Sequence, residues 1–148
     1  MKISSSVVLL SSWLMCAEAL QAYKWCTGPF LRDTVKKCSA DHNVGEEALQ
    51  DFIFIRPAMN ENSKCFRACI FEECLLFNKR GHFLKNVPQT TGWMASRRNP
   101  FHREIAELAA AYCVKQVPSD VDKCESTEIF YKCIAERAPV TITFEGAM

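Results

Sequence analysis

The chain has 148 residues, 49% of them hydrophobic and 24% charged, with a formal net charge of +1. So even a balance gives no electrostatic reason to bind nucleic acid or an anionic membrane, and the length is that of one domain. Nine cysteines in so short a chain are its most unusual feature.

The first residues read as a targeting segment. Lys2 supplies a positive start, Val7 to Ala17 is a mainly apolar run, and small residues follow at Ala17, Ala19 and Ala22. That layout is a secretory signal peptide cleaved after Ala19 or Ala22. The expected organisation is a signal over 1–22 and a single domain over 23–148. The apolar run is short of the ~20 residues that cross a bilayer, so no membrane insertion is expected after cleavage. Cleavage removes one charge of each sign, leaving the net at +1, and it also removes Cys16. Eight cysteines remain, and an even number in a secreted chain argues for disulfides rather than for metal or catalysis. Eight thiols allow on the order of a hundred pairings, so the count alone assigns none. No Asn-x-Ser/Thr acceptor for glycosylation occurs.

Phe30 to Cys38 carries Phe30, Leu31, Thr34, Val35 and Cys38 at helical spacing and predicts a first helix that ends before Asp41-His-Asn43. Gly45 to Phe54 predicts a second, with Leu49, Phe52 and Ile53 on one face, stopped by Arg56-Pro57. Asn60 or Asn62 is positioned to cap the helix that follows. That helix, Lys64 to Phe77, holds neither Gly nor Pro and organises the rest. Cys65 and Cys69 lie at i and i+4 and leave one face, while Cys74 lies about 180° round from Cys65. The helix is expected to stop at Asn78-Lys-Arg-Gly81, a basic last turn with Gly beyond it.

Phe83 to Arg98, with Pro88 and Thr90-Thr91-Gly92, reads as a broken helix or a loop packed through its aromatics. Asn99-Pro100 is a helix start, Asn capping and Pro at the first position. The helix continues from Phe101 to Val117, with Ile105, Leu108, Ala109, Tyr112 and Cys113 as its apolar set. Ser119 or Asp120 is expected to cap a last helix with Cys124, Ile129, Phe130, Cys133 and Ile134, ended at Ala138-Pro139. Val140 to Phe144 alternates like a short strand or an extended tail packed by one face. The fold class is all-α, a disulfide-stapled bundle of about six helices.

Six of the cysteines follow the order Cys38, 26 residues, Cys65, 3, Cys69, 43, Cys113, 10, Cys124, 8, Cys133. With the local text Lys64-Cys-Phe-Arg-Ala-Cys-Ile-Phe-Glu72 and Asp122-Lys-Cys-Glu125, this resembles the insect pheromone-binding and general odorant-binding protein family over about Phe30 to Ala138. The resemblance implies the pairs Cys38–Cys69, Cys65–Cys124 and Cys113–Cys133. Helical geometry is compatible with it: the third helix would send one bridge back to the first helix and one forward to the last. Two cysteines are additional to the family pattern. Cys26 and Cys74 pair most simply with each other, and free thiols or an intermolecular bridge are the alternatives. The stretch Phe83 to Arg98 also departs from the family, which shows a cleaner fourth helix there.

Bridges in a domain of this size have two readings. They protect a dry core, or they hold helices apart around a cavity, which weakens a core by roughly 24 cal/mol per Å³. The residues alone do not choose between them. The resemblance implies the cavity, an apolar pocket for a small hydrophobic ligand. Candidates for its wall are Phe52, Ile55, Met59, Phe66, Ile70, Phe77, Phe83, Trp93, Met94, Ile105, Leu108, Tyr112, Ile129, Phe130, Ile142 and Phe144. Met59, Trp93 and Met94 fall in irregular segments suited to a mouth, and the tail from Val140 onward is either a lid or frayed.

Chemistry has little foothold: there is no Gly-x-Ser-x-Gly elbow, phosphate loop or His-Glu-x-x-His motif. His42, His82 and His102 are dispersed, and no metal or cofactor is expected. The resemblance raises the idea of a pH-dependent histidine, for which His102 is poorly suited beside Arg97, Arg98 and Arg103. Lys85 with those three arginines reads as a solvated face, or else as a receptor or carboxylate contact. The expected function is a secreted carrier of odorants or pheromones. The alternative is a non-olfactory ligand-sequestering or interaction protein of reproductive or salivary fluid on the same frame. A chemosensory receptor and a second copy of the chain, as a homodimer, are the protein partners compatible with the first reading.

Overall fold

The computed structural model describes residues 26–96, 99–139, 141–145 and 148. The signal segment and its cleavage sites lie outside the described residues, as do Arg97, Arg98 and Val140. Among the described residues are six α-helices: α1 Gly28–Asp41, α2 Glu46–Ile53, α3 Glu61–Glu73, α4 Val87–Ala95, α5 Pro100–Cys113 and α6 Lys123–Arg137. A 3-10 turn, Val114–Gln116, continues α5. No described helix is long and apolar enough to cross a membrane.

The first three helices end in one way. At the end of α3, the N–H of Leu75 donates to Glu72 and that of Leu76 to Phe71, with Leu75 at φ 55. This is the paired-bond stop in which one residue turns left-handed. Ile55 after α2 (φ 53) and Asn43 after α1 (φ 50) hold the same place. Glycine usually fills it, and a branched residue there costs on the order of 1–2 kcal/mol. In return Leu76 and Ile55 are buried.

That stop corrects the expected length of α3. The helix ends at Glu73, so Cys74 caps it rather than lying on its far side. Asn78-Lys-Arg-Gly81 is a separate turn. Asn78 Oδ1 accepts from the N–H groups of Arg80 and His82, at 2.8 and 3.0 Å, and the rings of Phe77 and Phe83 stack at 4.7 Å across it.

The stretch expected to be broken is instead one helix, α4. Pro88 falls in its first turn, where a missing N–H does no harm, and tertiary packing overrides the poor propensity of Thr90-Thr91-Gly92. Gly92 meets α5 so closely that a Cβ would stand 3.0 Å from the Arg103 carbonyl oxygen and 3.2 Å from Glu107 Cβ. The start of α6 also differs: Asp122, not Ser119 or Asp120, caps it by accepting from the Glu125 N–H at 2.9 Å.

Asn60 caps α3, its Oδ1 accepting from the Ser63 N–H at 3.0 Å, while Asn62 lies inside the first turn. Asn60→Ala will therefore lower the unfolding free energy by about 1 kcal/mol, measured by urea denaturation, and Asn62→Ala by less than half of that.

The tail forms neither a strand nor a one-faced extension. Ile142, Thr143 and Phe144 are all buried, and the N–H of Phe144 donates to the Ile53 carbonyl at 2.8 Å. The chain thus folds back onto the end of α2.

Candidate functional site

Covalent ties define which parts of the domain can shift. Cys38 of α1 is bonded to Cys69 of α3, Cys65 of α3 to Cys124 of α6, and Cys113 of α5 to Cys133 of α6. Cys26, ahead of α1, is bonded to Cys74 at the end of α3. Helices α1, α3, α5 and α6 are therefore one cross-linked body. Neither α2 nor α4 contains a cysteine, and the chain beyond Cys133 has none.

Aromatic rings fill the centre. Phe52 packs on Phe66, Tyr131 and Phe144 with centroids 6.0, 6.1 and 5.5 Å away. Phe71 packs on Phe83, Phe130 and Tyr131 at 6.1, 5.7 and 5.8 Å. Beside this cluster, a cleft of about 320 Å³ opens between the end of α2, the end of α6 and the tail. Its lining is Phe54, Ile55, Arg56 and Pro57 on one side, Ile134, Ala135 and Ala138 on another, and Pro139 with Ile142 on the third. Of these, Ile55, Ile134 and Ile142 are buried and form its apolar floor. That volume is at the low end for a small-molecule pocket.

The expected wall residues divide into four groups. Phe52, Phe66, Phe83, Phe130 and Phe144 meet in the aromatic cluster, with Ile70 and Met94 fully buried in the same core. Ile55 and Ile142 line the cleft. Phe77, Trp93, Ile105 and Ile129 are half-buried, and the Arg103 guanidinium covers the Trp93 ring. Met59, Leu108 and Tyr112 do not face the interior: they are 51%, 66% and 42% exposed. The reason lies in α5, whose buried stripe is Ala106, Ala109, Ala110 and Cys113. Only small side chains fit where α4 approaches so closely, so Leu108 and Tyr112 fall on the opposite face.

A buried polar group lies under the aromatic cluster that the periodicity did not single out. Arg67 of α3 and Glu128 of α6 are fully buried and paired, Nη1 to Oε2, at 3.0 Å. Both carboxylate oxygens of Glu128 also accept from the Ala58 N–H, at 3.0 and 3.2 Å. The guanidinium stands 4.5 Å over the ring of Tyr131. Burial pushes the Tyr131 hydroxyl well above its ordinary value, with the Arg67 charge working against that rise. The hydroxyl is a neutral donor at any physiological pH. An arginine within the apolar face that also carries Ile70 and Phe71 was the signal in the sequence.

Metal chemistry has no support at the one group of three potential ligands found among the described residues. Glu61, Cys65 and Cys124 lie within 4.8 Å of one another, but the two sulfurs are bonded to each other and offer no thiolate.

The PBP/GOBP family model matches residues 30–137, nearly the whole of the helical domain. The chain belongs to the PBP/GOBP family. Proteins of the PBP/GOBP family bind small hydrophobic ligands. Among solved structures, an odorant-binding protein from Drosophila melanogaster is similar, with 22% identity and a TM-score of 0.57 over 82% of this chain and 93% of that one. At that identity the likeness shows a shared all-helical fold. No curated protein matches the chain.

Proposed function

We propose that the protein is a secreted carrier that takes a small hydrophobic ligand, such as an odorant or pheromone, through the cleft between α2, α6 and the tail. The observation that carries this reading is where the cleft lies. It opens between the cross-linked body and two segments without a bridge, α2 and the tail, and its floor is apolar. The contacts that hold the tail include a backbone hydrogen bond from Phe144 to Ile53 and the packing of the Phe144 ring on Phe52 and Tyr131. Lifting those contacts extends the cleft into the aromatic cluster without disturbing a disulfide. The four disulfides, with the leader expected over 1–22, fit an extracellular site of action, where such bonds persist.

Each buried methylene contributes about 0.8 kcal/mol. A chain of ten to twelve carbons therefore supplies roughly 8–10 kcal/mol before association costs, which sets affinities at micromolar or weaker.

The test is displacement of a fluorescent apolar probe, phenylnaphthylamine, by dodecanol from the folded protein. Binding and displacement are expected. Ala135→Trp, at an exposed position on the cleft rim, fills the opening without touching the core and is expected to weaken the probe at least tenfold. A protein that takes up no apolar probe refutes the carrier. Unchanged binding by Ala135→Trp places the entrance elsewhere.

A further inference from the structure

Arg67 is the one buried cation among the described residues, and its pairing uses only part of it. Nη1 donates to Glu128, but Nε and Nη2 have no protein acceptor, and neither has the hydroxyl of Tyr131. Nε–H and Nη2–H are the parallel donors on the side edge of a guanidinium, the edge that takes a carboxylate in two hydrogen bonds. The tyrosine adds a third donor beside the stacked guanidinium.

Donor geometry points to the class of ligand. The buried charges, Arg67 and Glu128 at 3.0 Å, balance each other, and Lys132, 3.7 Å from Glu128, is exposed, so what is unmet in the interior is the pair of parallel N–H donors. A carboxylate presents one oxygen to each of them in charge-assisted hydrogen bonds. An alcohol or ester accepts from fewer of the donors.

The position suits a ligand that enters by the cleft. Ile134, on the cleft floor, is one helical turn from Tyr131 on the same face of α6. The ring covering Tyr131 from the tail is that of Phe144, 6.0 Å away, so moving the tail uncovers Tyr131 from the side of the cleft.

We propose that Arg67 and Tyr131 anchor the carboxylate head of an amphiphilic ligand whose hydrocarbon chain lies along α6 into the cleft. The ligand class is a medium- to long-chain carboxylic acid. The proposal rests on the carrier reading and narrows it. Nε–H and Nη2–H each donate to one carboxylate oxygen, and the Tyr131 O–H donates to one of the two.

Dodecanoic acid, dodecanol and methyl dodecanoate, each displacing phenylnaphthylamine at neutral pH, provide the test. The acid is expected to bind at least tenfold more tightly than the alcohol or the ester. Arg67→Met with Glu128→Gln, which removes both charges together, is expected to bring the acid-to-alcohol ratio to about one. Tyr131→Phe, a milder change for the fold, is expected to lower that ratio about threefold. Equal binding of acid and alcohol by the unaltered protein overturns the proposal, the inner donors then being met by water only, and leaves the carrier standing. A preference that survives in both variants overturns it too, placing the anchor elsewhere. Failure of all three compounds to displace the probe refutes the carrier reading itself.

Discussion

Glu128→Leu will lower the unfolding free energy by about 3–5 kcal/mol, a large share of the ~5–15 kcal/mol that holds a domain of this size. The substitution leaves the Arg67 charge fully buried with no acceptor and takes the acceptor from the Ala58 N–H as well. Hydrophobicity does not compensate, because the cost lies in the charge left behind. The paired variant separates this from loss of packing. Arg67→Met with Glu128→Gln keeps an oxygen for Ala58 and removes both charges, so its stability will lie within about 1.5 kcal/mol of the unaltered protein. Urea denaturation with the disulfides intact reads both. If Glu128→Leu loses less than about 1 kcal/mol, Arg67 reaches solvent or another acceptor, and the description of a closed polar centre is wrong.

The two residues behind that effect are also the ones the linear pattern hides best. They are 61 positions apart, and each has the residue type expected of a solvated helix face. Only the bridge between Cys65 and Cys124, which sets α3 against α6, turns those faces toward each other. Sequence periodicity reports which side of one helix is apolar. It does not report which helix covers it.

Helix α5 shows the same limit in apolar residues. It carries one stripe at Ile105, Leu108 and Tyr112 and a second at Ala106, Ala109, Ala110 and Cys113, both at helical spacing. Side-chain size favours the first as the buried one. Backbone approach at Gly92 decides for the second, because a close helix contact admits only small side chains. Features that act locally were readable by contrast. Asn60 and Asn99 cap the helices expected of them, and Pro100 stands in the first turn of α5. The end of α3 was not legible, because a left-handed leucine breaks the usual preference for glycine. The cysteine order, through the family it resembles, carried the most information. Cys38–Cys69, Cys65–Cys124 and Cys113–Cys133 are bonded as that resemblance implied, and Cys26 with Cys74.

Cys65→Ser with Cys124→Ser will cost about 4 kcal/mol of unfolding free energy, from the loop of 59 residues that the bond closes in the unfolded chain. Both sulfurs are only partly buried, so little packing is lost with them and the effect acts mainly on the unfolded state. The other three bridges leave α3 tied to α1 and α5 tied to α6, but no covalent link then holds α3 against α6. What remains between those two helices is the packing of Phe71 on Phe130 and Tyr131, the Arg67–Glu128 pair over the Tyr131 ring, and partly exposed lysine–glutamate pairs such as Lys64–Glu125, which contribute little each. The variant is therefore expected to lose the acid preference along with stability, as Arg67 and Tyr131 sit on the two separated helices. Thermal unfolding and the acid-to-alcohol binding ratio, measured on the same sample, check both halves. A variant that loses less than about 2 kcal/mol would show that the packed aromatic rings alone position the two helices.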